Sequence, residues 1–198
     1  MRYTKQSPEK QVAYTALALI GGAALYWFIS KSRFFTPNVR YILRRREGAF
    51  EIRDYPNLAI AETVRDEDRN EPAFNRLFGY IQGQNSVQRK IPMTAPVLLT
   101  KTPERNTMSF VMPEDLAPPP EPRNPAVEVN ALPARRYAVF RFHGWPRHAT
   151  ERKAIATLRA WLIARSLPAS ADPILAYYDP PWIPSPLRRN EVMIEIPI

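Results

Sequence analysis

The order of apolar, charged and turn-forming residues predicts an α+β fold, with helices on a curved, mainly antiparallel sheet behind one N-terminal transmembrane helix. Three observations predict it. One uncharged stretch near the N-terminus is long enough to cross a bilayer. The element order strand, helix, strand, strand then occurs twice, over about residues 58–112 and 137–196. Proline-rich connectors, too rich in proline for either regular structure, punctuate the second part of the chain.

The membrane span is "VAYTALALIGGAALYWFI", residues 12–29, at the lower end of the length that crosses a hydrocarbon core. Tyr26 and Trp27 near one end suit an interfacial aromatic belt. "SKSRFF" after it lacks a signal-peptidase-like site, which favours an anchor over a cleaved leader. The expected organisation is an N-terminal flank (1–11), an anchor (12–29), a basic juxtamembrane linker (30–46) and a folded domain (47–198). Charge is divided the same way. The formal net charge is +9, but residues 31–46 carry six basic side chains and no acid, while residues 47–198 are nearly balanced. Basicity that flanks one apolar span is poor support for nucleic-acid binding, which needs positive charge clustered on the fold. The Lys/Arg bias after the span leans the domain toward the cytoplasmic side.

Within the domain, "FEIRDYPNLAIAETV" reads as two extended stretches broken at Pro56. Helical spacing follows, with Phe74, Leu77, Phe78 and Ile81 at i, i+3, i+4 and i+7, Pro72 in the first turn and Gly83 at the stop. "APVLLT" and "MSFVMP" are strands, and "APPPEPRNP" (117–125) is a connector. The second unit starts with the alternating "RRYAVFRFHG". A helix over 149–165 comes next, with Ile155, Leu158 and Leu162 on one face. "DPILAYYD" and "NEVMIEIPI" close the chain as strands, joined by "PPWIPSPLRR".

Catalytic signatures are scarce. There is no cysteine, hence no thiol nucleophile and no disulfide. No G-x-S-x-G, phosphate-binding loop or H-E-x-x-H occurs. Asp66, Glu67 and Asp68 form a charge run, which reads as a solvated loop. The two histidines, His143 and His148, are five apart with Pro146 between them, so a shared helical metal site is excluded and structural or surface roles are expected. Aromatic residues and methionines gather near the connectors and suit a flat, polarizable ligand, although each is equally suited to core packing.

"FEIRDYPNLAIAET", "AFNRLFGYIQGQN", "KIPMTAPVLL", "MSFVMP" and "LAYYDPPWIPSPLRRNEVMIEI", in this order and spacing over roughly residues 48–197, resemble the SOUL haem-binding protein family. The resemblance implies a duplicated fold, a distorted barrel of strands with two helices. It also implies non-covalent binding of haem or another tetrapyrrole near the first helix and the proline-rich loop before the last strand. Carried onto this chain, the lining candidates are Phe74, Leu77, Phe78, Ile81, Met93, Tyr178 and Trp182. Arg76 and Lys90 are candidates to meet propionates. Some family members are thought to use a histidine on the iron, yet none precedes His143 here. Ligation at the first-helix site therefore falls to Met93 or a tyrosine, or does not occur, and no catalytic or metal-ligating residue is expected. The expected function is a membrane-tethered carrier or buffer of haem rather than an enzyme. The alternatives are a tethered protein-interaction module without a tetrapyrrole and, more weakly, an enzyme acting on an amphipathic ester.

Overall fold

The computed structural model describes residues 36–65, 71–103, 105–116 and 118–197. The flank 1–11, the anchor 12–29 and the first part of the linker lie outside them, as does the charge run Asp66–Asp68. Among the described residues no helix is long and apolar enough to cross a membrane. Residues 37–198 form one compact unit.

Among the described residues, nine strands and two α-helices build this unit. In chain order they are β1 (Ile42–Glu47), β2 (Phe50–Tyr55), β3 (Leu58–Val64), α1 (Glu71–Ile81), β4 (Val97–Lys101), β5 (Asn106–Val111), β6 (Glu128–Leu132), β7 (Arg135–Phe142), α2 (His148–Ile163), β8 (Ile174–Tyr177) and β9 (Asn190–Ile196). They form one sheet in the order β1-β2-β7-β9-β8-β4-β5-β3-β6, with every strand pair antiparallel. The expected duplication is plain in this order. β3-α1-β4-β5 and β7-α2-β8-β9 each place their third strand between the first and second. The two units meet where β4 pairs β8, Val97 opposite Tyr177. β2 and β6 extend β7 and β3 at corresponding places. The sheet is a curled half-barrel, not a closed barrel, since β1 and β6 do not pair with each other.

The linker expectation needs correction at residues 42–46. "ILRRR" belongs to β1, an edge strand whose arginines are ion-paired: Arg44 with Asp54 at 2.7 Å, Arg45 with Glu47 at 2.5 Å and Arg46 with Glu51 at 2.8 Å. Charged edges discourage pairing with other chains. Half of the basic residues counted as juxtamembrane are thus committed to the sheet, which weakens the orientation drawn from them.

Period-two alternation divides the sheet residues between two faces. On one face Phe50 and Ile52, Ala138 and Phe140, and Val192 and Ile194 meet the helices. α2 contributes Leu158 and Leu162, both fully buried, and Trp161, which stacks on Phe50 at 5.1 Å. α1 contributes Ala73, Leu77, Tyr80 and Ile81. On the face turned away from the helices lies a second apolar cluster that includes Tyr55, Leu98, Tyr137, Val139 and Met193.

The sequence signatures are largely the means of joining these parts. Asn85 is fully buried, with Nδ2 donating to the carbonyls of Tyr80 (3.1 Å) and Arg89 (2.7 Å) while Oδ1 accepts from the Arg89 amide (3.0 Å). In "KIPMTAP", the Ile91 amide donates to the Ile81 carbonyl at 2.8 Å. Thr94 Oγ1 donates to the Val111 carbonyl at 2.6 Å. Ala95 exchanges backbone hydrogen bonds with Pro37 and Val39 (both 2.9 Å), so the chain entering the domain is held beside it. Proline prevents this run from continuing as a ladder strand, and the structure uses it as an ordered connector into β4.

Candidate binding cleft

Charged residues set into an otherwise apolar face mark the site. On β2 the residues alternating with Phe50 and Ile52 are Glu51, Arg53 and Tyr55, and all three are buried. Arg53 is 1% exposed, yet its charge is fully met. Its Nη1 and Nη2 donate to the two carboxylate oxygens of Glu191 on β9, both at 2.7 Å, and its Nε donates to Glu51 at 2.6 Å. Its Nη1 also reaches the Tyr55 hydroxyl at 3.0 Å, and its guanidinium lies 4.1 Å from the Tyr41 ring centroid. Burial opposes charge on Arg53, but the Glu191 carboxylate more than offsets it and holds the guanidinium firmly protonated.

Burial alone would raise the Glu51 carboxyl. The hydrogen bond and charge of Arg53, with the charges of Arg141 and Arg46, bring it below the usual carboxylate range. Tyr178 donates to Glu191 at 2.7 Å, and burial together with that carboxylate pushes its phenol well above the ordinary value. Tyr177, on the helix side, donates to Glu151 at 2.6 Å and is raised for the same reasons. Both phenols therefore stay protonated and are poor anionic ligands for a metal.

Around this network is a cleft of about 460 Å³, within the size range of small-molecule sites. Tyr41 and Tyr178 give it aromatic surface, while Phe142, which also lines it, is a member of the helix-side core and stacks on Phe140. Arg53, Arg141 and Arg189 give it guanidinium groups against the single carboxylate of Glu191, and His143, Asn38, Ala49 and Asn190 complete the lining. Next to it, Val39, Tyr55, Leu98, Tyr137 and Met193 enclose a small apolar space of about 20 Å³.

Two loops shape the rim. The "YDPPWIPSPLRRN" loop is closed by Asp179, which accepts from the Arg189 amide (2.6 Å) and from Arg189 Nη2 (2.9 Å). Arg188 is buried inside the loop. Its Nε donates to the Ile183 carbonyl at 2.8 Å, its Nη2 to the Pro181 carbonyl, and its guanidinium lies over Trp145 at 3.8 Å. The turn after β7 is pinned to this loop. Gly144, with φ +120°, presents its amide to the Ser185 carbonyl (3.2 Å) and its carbonyl to Asn190 Nδ2 (2.8 Å). His143 Nδ1 lies 2.7 Å from the Arg188 carbonyl oxygen.

Of the residues expected to bind, Tyr178 alone lines this cleft. Leu77 and Ile81 are core residues, 0% and 1% exposed, and line no surface. Phe74 packs in the helix-side core, 5.3 Å from Phe110, and stacks at 5.8 Å on Phe78, which is 41% exposed. Arg76 Nε donates to Thr63 Oγ1 at 2.9 Å and its Nη2 to the Val64 carbonyl. Met93 packs partly buried against the helix-side core, Lys90 is exposed, and Trp182 is 63% exposed on the proline-rich loop. The expected helix stripe thus divides between core and a small exposed Phe74–Phe78 ledge. Tyr41, Arg53, Arg141, Arg189 and Glu191 were not expected. "FEIR" held the signal: opposite charges at i and i+2 share one strand face, but they read as a solvated face when taken without their partner on β9.

A family model described as SOUL heme-binding protein matches residues 36–195. No curated protein matches the chain in sequence. Among solved structures, the chain is similar to the EcmrR C-terminal domain, with 14% identity over 79% of this chain and 98% of that one and a TM-score of 0.56. It is also similar to EcmrR in the cryo-EM EcmrR–DNA complex, with 14% identity over 95% of this chain and 68% of that one and a TM-score of 0.53. At such identity the likeness speaks to the fold alone.

Proposed function

The chain belongs to the SOUL haem-binding family, and from that premise we propose that its cleft binds haem or a related tetrapyrrole reversibly and without a covalent link. The observation that carries this is the combination of aromatic and guanidinium groups around about 460 Å³ beside the buried Arg53–Glu191 pair. The donor set suits such a ligand. Tyr41 and Tyr178 offer ring surface to a flat macrocycle. Arg141 and Arg189 are partly exposed, at 43% and 32%. A guanidinium has five N–H donors. Arg141 directs its Nε toward Glu51 (3.3 Å) and donates from Nη2 to the Gly48 carbonyl, and Arg189 spends Nε and Nη2 on Asp179, so each has donors left for a carboxylate. The ligand itself would supply the light absorption and any iron chemistry; the protein's residues bind it, orient it and shield one side from water.

This makes the protein a carrier or buffer rather than an enzyme. The span at residues 12–29 would tether it to a bilayer, where a membrane-dissolved porphyrin is locally concentrated. The experiment is a haem titration of the full chain followed by absorbance, with Arg141→Glu and Phe78→Asp variants. Saturable one-to-one binding, weakened about tenfold or more by Arg141→Glu through loss of a charge-assisted hydrogen bond and unchanged by Phe78→Asp, supports the cleft. Binding lost in Phe78→Asp and kept in Arg141→Glu moves the site to the ledge on α1. No saturable binding by the folded wild type rejects the tetrapyrrole reading and favours a protein-interaction module, for which the exposed Trp182 loop is the obvious surface.

A further inference from the structure

His143 is the one titratable group on the cleft wall that the binding account leaves without a part. It follows the last residue of β7, where the chain turns at Gly144, and it lines the cleft with Arg141 and Asn190. Its Nδ1 is 2.7 Å from the Arg188 carbonyl oxygen. A carbonyl oxygen only accepts, so Nδ1 carries the proton and, in the neutral ring, the lone pair is on Nε2. A backbone carbonyl receiving the distal N–H is the arrangement that fixes tautomer and ring direction in metal-bound histidines.

The carbonyl that holds the ring is itself well placed. Arg188 is 5% exposed, its guanidinium gripping the loop carbonyls of Ile183 and Pro181 and lying over Trp145. The other hydrogen bonds between the two loops, Gly144 to Ser185 and Asn190 to Gly144, fix their spacing. His143 is thus a solvent-facing imidazole on a constrained support.

What such an imidazole can hold is narrowed by its surroundings. Among the described residues no three His, Asp or Glu side chains converge to hold a metal ion. A bare divalent ion therefore lacks its usual protein ligands here. A metal inside a porphyrin brings four ring nitrogens with it and asks the protein for one axial donor, histidine being the commonest. Apart from Tyr41, whose ring lies against the Arg53 guanidinium on the same wall, the rival donors are engaged elsewhere. Met93 packs against the helix-side core, the Tyr178 hydroxyl is given to Glu191, and both Glu191 oxygens accept from Arg53. His148 is at the start of α2, 3.7 Å from Glu151.

We propose that Nε2 of His143 is the axial ligand for the metal of a metalloporphyrin in the cleft. This rests on the tetrapyrrole reading and corrects the expectation that no histidine of the chain ligates a metal.

The test titrates the full chain, as wild type, His143→Ala and His143→Gly, with ferric haem and separately with metal-free protoporphyrin, reading absorbance and electron paramagnetic resonance. The wild-type haem complex is expected to show imidazole ligation, His143→Ala to lose that signature, and added imidazole to restore it in His143→Gly. Metal-free protoporphyrin should bind all three proteins alike. Identical haem spectra for wild type and His143→Ala, both saturated, would overturn the ligand assignment and leave the cleft reading intact. Equal weakening of both porphyrins in His143→Ala, with unfolding curves unchanged, would make His143 a wall of the cleft and overturn it as well. If the wild type bound neither porphyrin, the tetrapyrrole reading itself would fall, and the ligand assignment with it.

Discussion

Arg53→Met tests the buried charge network that forms the floor of the cleft. The substitution keeps a side chain of similar length and removes three ionic hydrogen bonds, two to Glu191 at 2.7 Å and one to Glu51 at 2.6 Å. The partners left behind differ. Glu51 retains Arg46 at 2.8 Å and Arg141 at 3.3 Å. Glu191, 6% exposed, keeps only the Tyr178 hydroxyl among these contacts. Stranding one buried partner of such a pair costs about 3–5 kcal/mol. For a chain of this size about 2–4 °C of Tm corresponds to each kcal/mol, so Tm should fall by about 6–20 °C. Urea unfolding followed by circular dichroism measures the loss directly. Adding Glu191→Gln should recover much of it, because the stranded charge is gone. The coupling between the two sites should exceed about 1.5 kcal/mol, as expected for groups in direct contact.

The pH dependence has a definite sign. The Glu51 carboxyl is depressed in the folded protein, so it stabilises the fold above its unfolded value near 4.5, and that contribution is lost as pH falls through the folded value. Without Arg53 the depression is smaller. The gap between wild type and Arg53→Met is therefore largest near neutral pH and narrows below about pH 4.5. A loss under about 1 kcal/mol at pH 7, well below the range for a stranded buried charge, or a gap that does not change with pH, would refute the reasoning.

The remaining predictions concern the core, the rim and the anchor. Leu158→Ala, at a fully buried position of α2, should cost about 2–5 kcal/mol in chemical unfolding, the range for buried leucines. Tyr178→Phe removes a hydroxyl from a carboxylate that keeps Arg53, and should cost about 1–2 kcal/mol while leaving the fold intact by circular dichroism. Leu19→Arg with Ala23→Arg places two charges within the apolar span, at about 2.5–3.5 kcal/mol each on an insertion scale. The variant should move from the membrane pellet to the supernatant after alkaline extraction, and retention in the pellet would count against the anchor.

Much of the fold was legible because apolar periodicity reports directly on which face is buried. Tyr137 and Val139 alternating against Ala138 and Phe140 marked β7. The stripe from Phe74 to Ile81 marked α1, and the repeated order of elements marked two similar units in one sheet, without saying that they meet where β4 pairs β8. The edge strands were harder. β1 reads "ILRRRE" and β6 reads "EVNAL", and neither carries the alternation of a half-buried strand, since edges are solvated and their charges find partners across the sheet. The site was the least legible part. Its defining groups come from β2, β7, β9 and two loops, and nothing local in "NEV" says that Glu191 meets Arg53 from 138 positions away. The helix stripe drew the expected ligand toward α1, but a stripe that faces a sheet is mostly consumed by packing, as Leu77 and Ile81 are. Trp182 and Phe78, exposed on other elements, report surface rather than a pocket.

The central claim concerns where a tetrapyrrole sits, and paramagnetic broadening addresses it most directly. The isotope-labelled full chain would be titrated with ferric haem and the loss of amide signals mapped along the sequence. The cleft account predicts that signals from 38–41, 49–53, 141–144 and 189–191 disappear first, while those of α1 persist. First losses confined to residues 74–82, with the cleft residues unaffected, would contradict it.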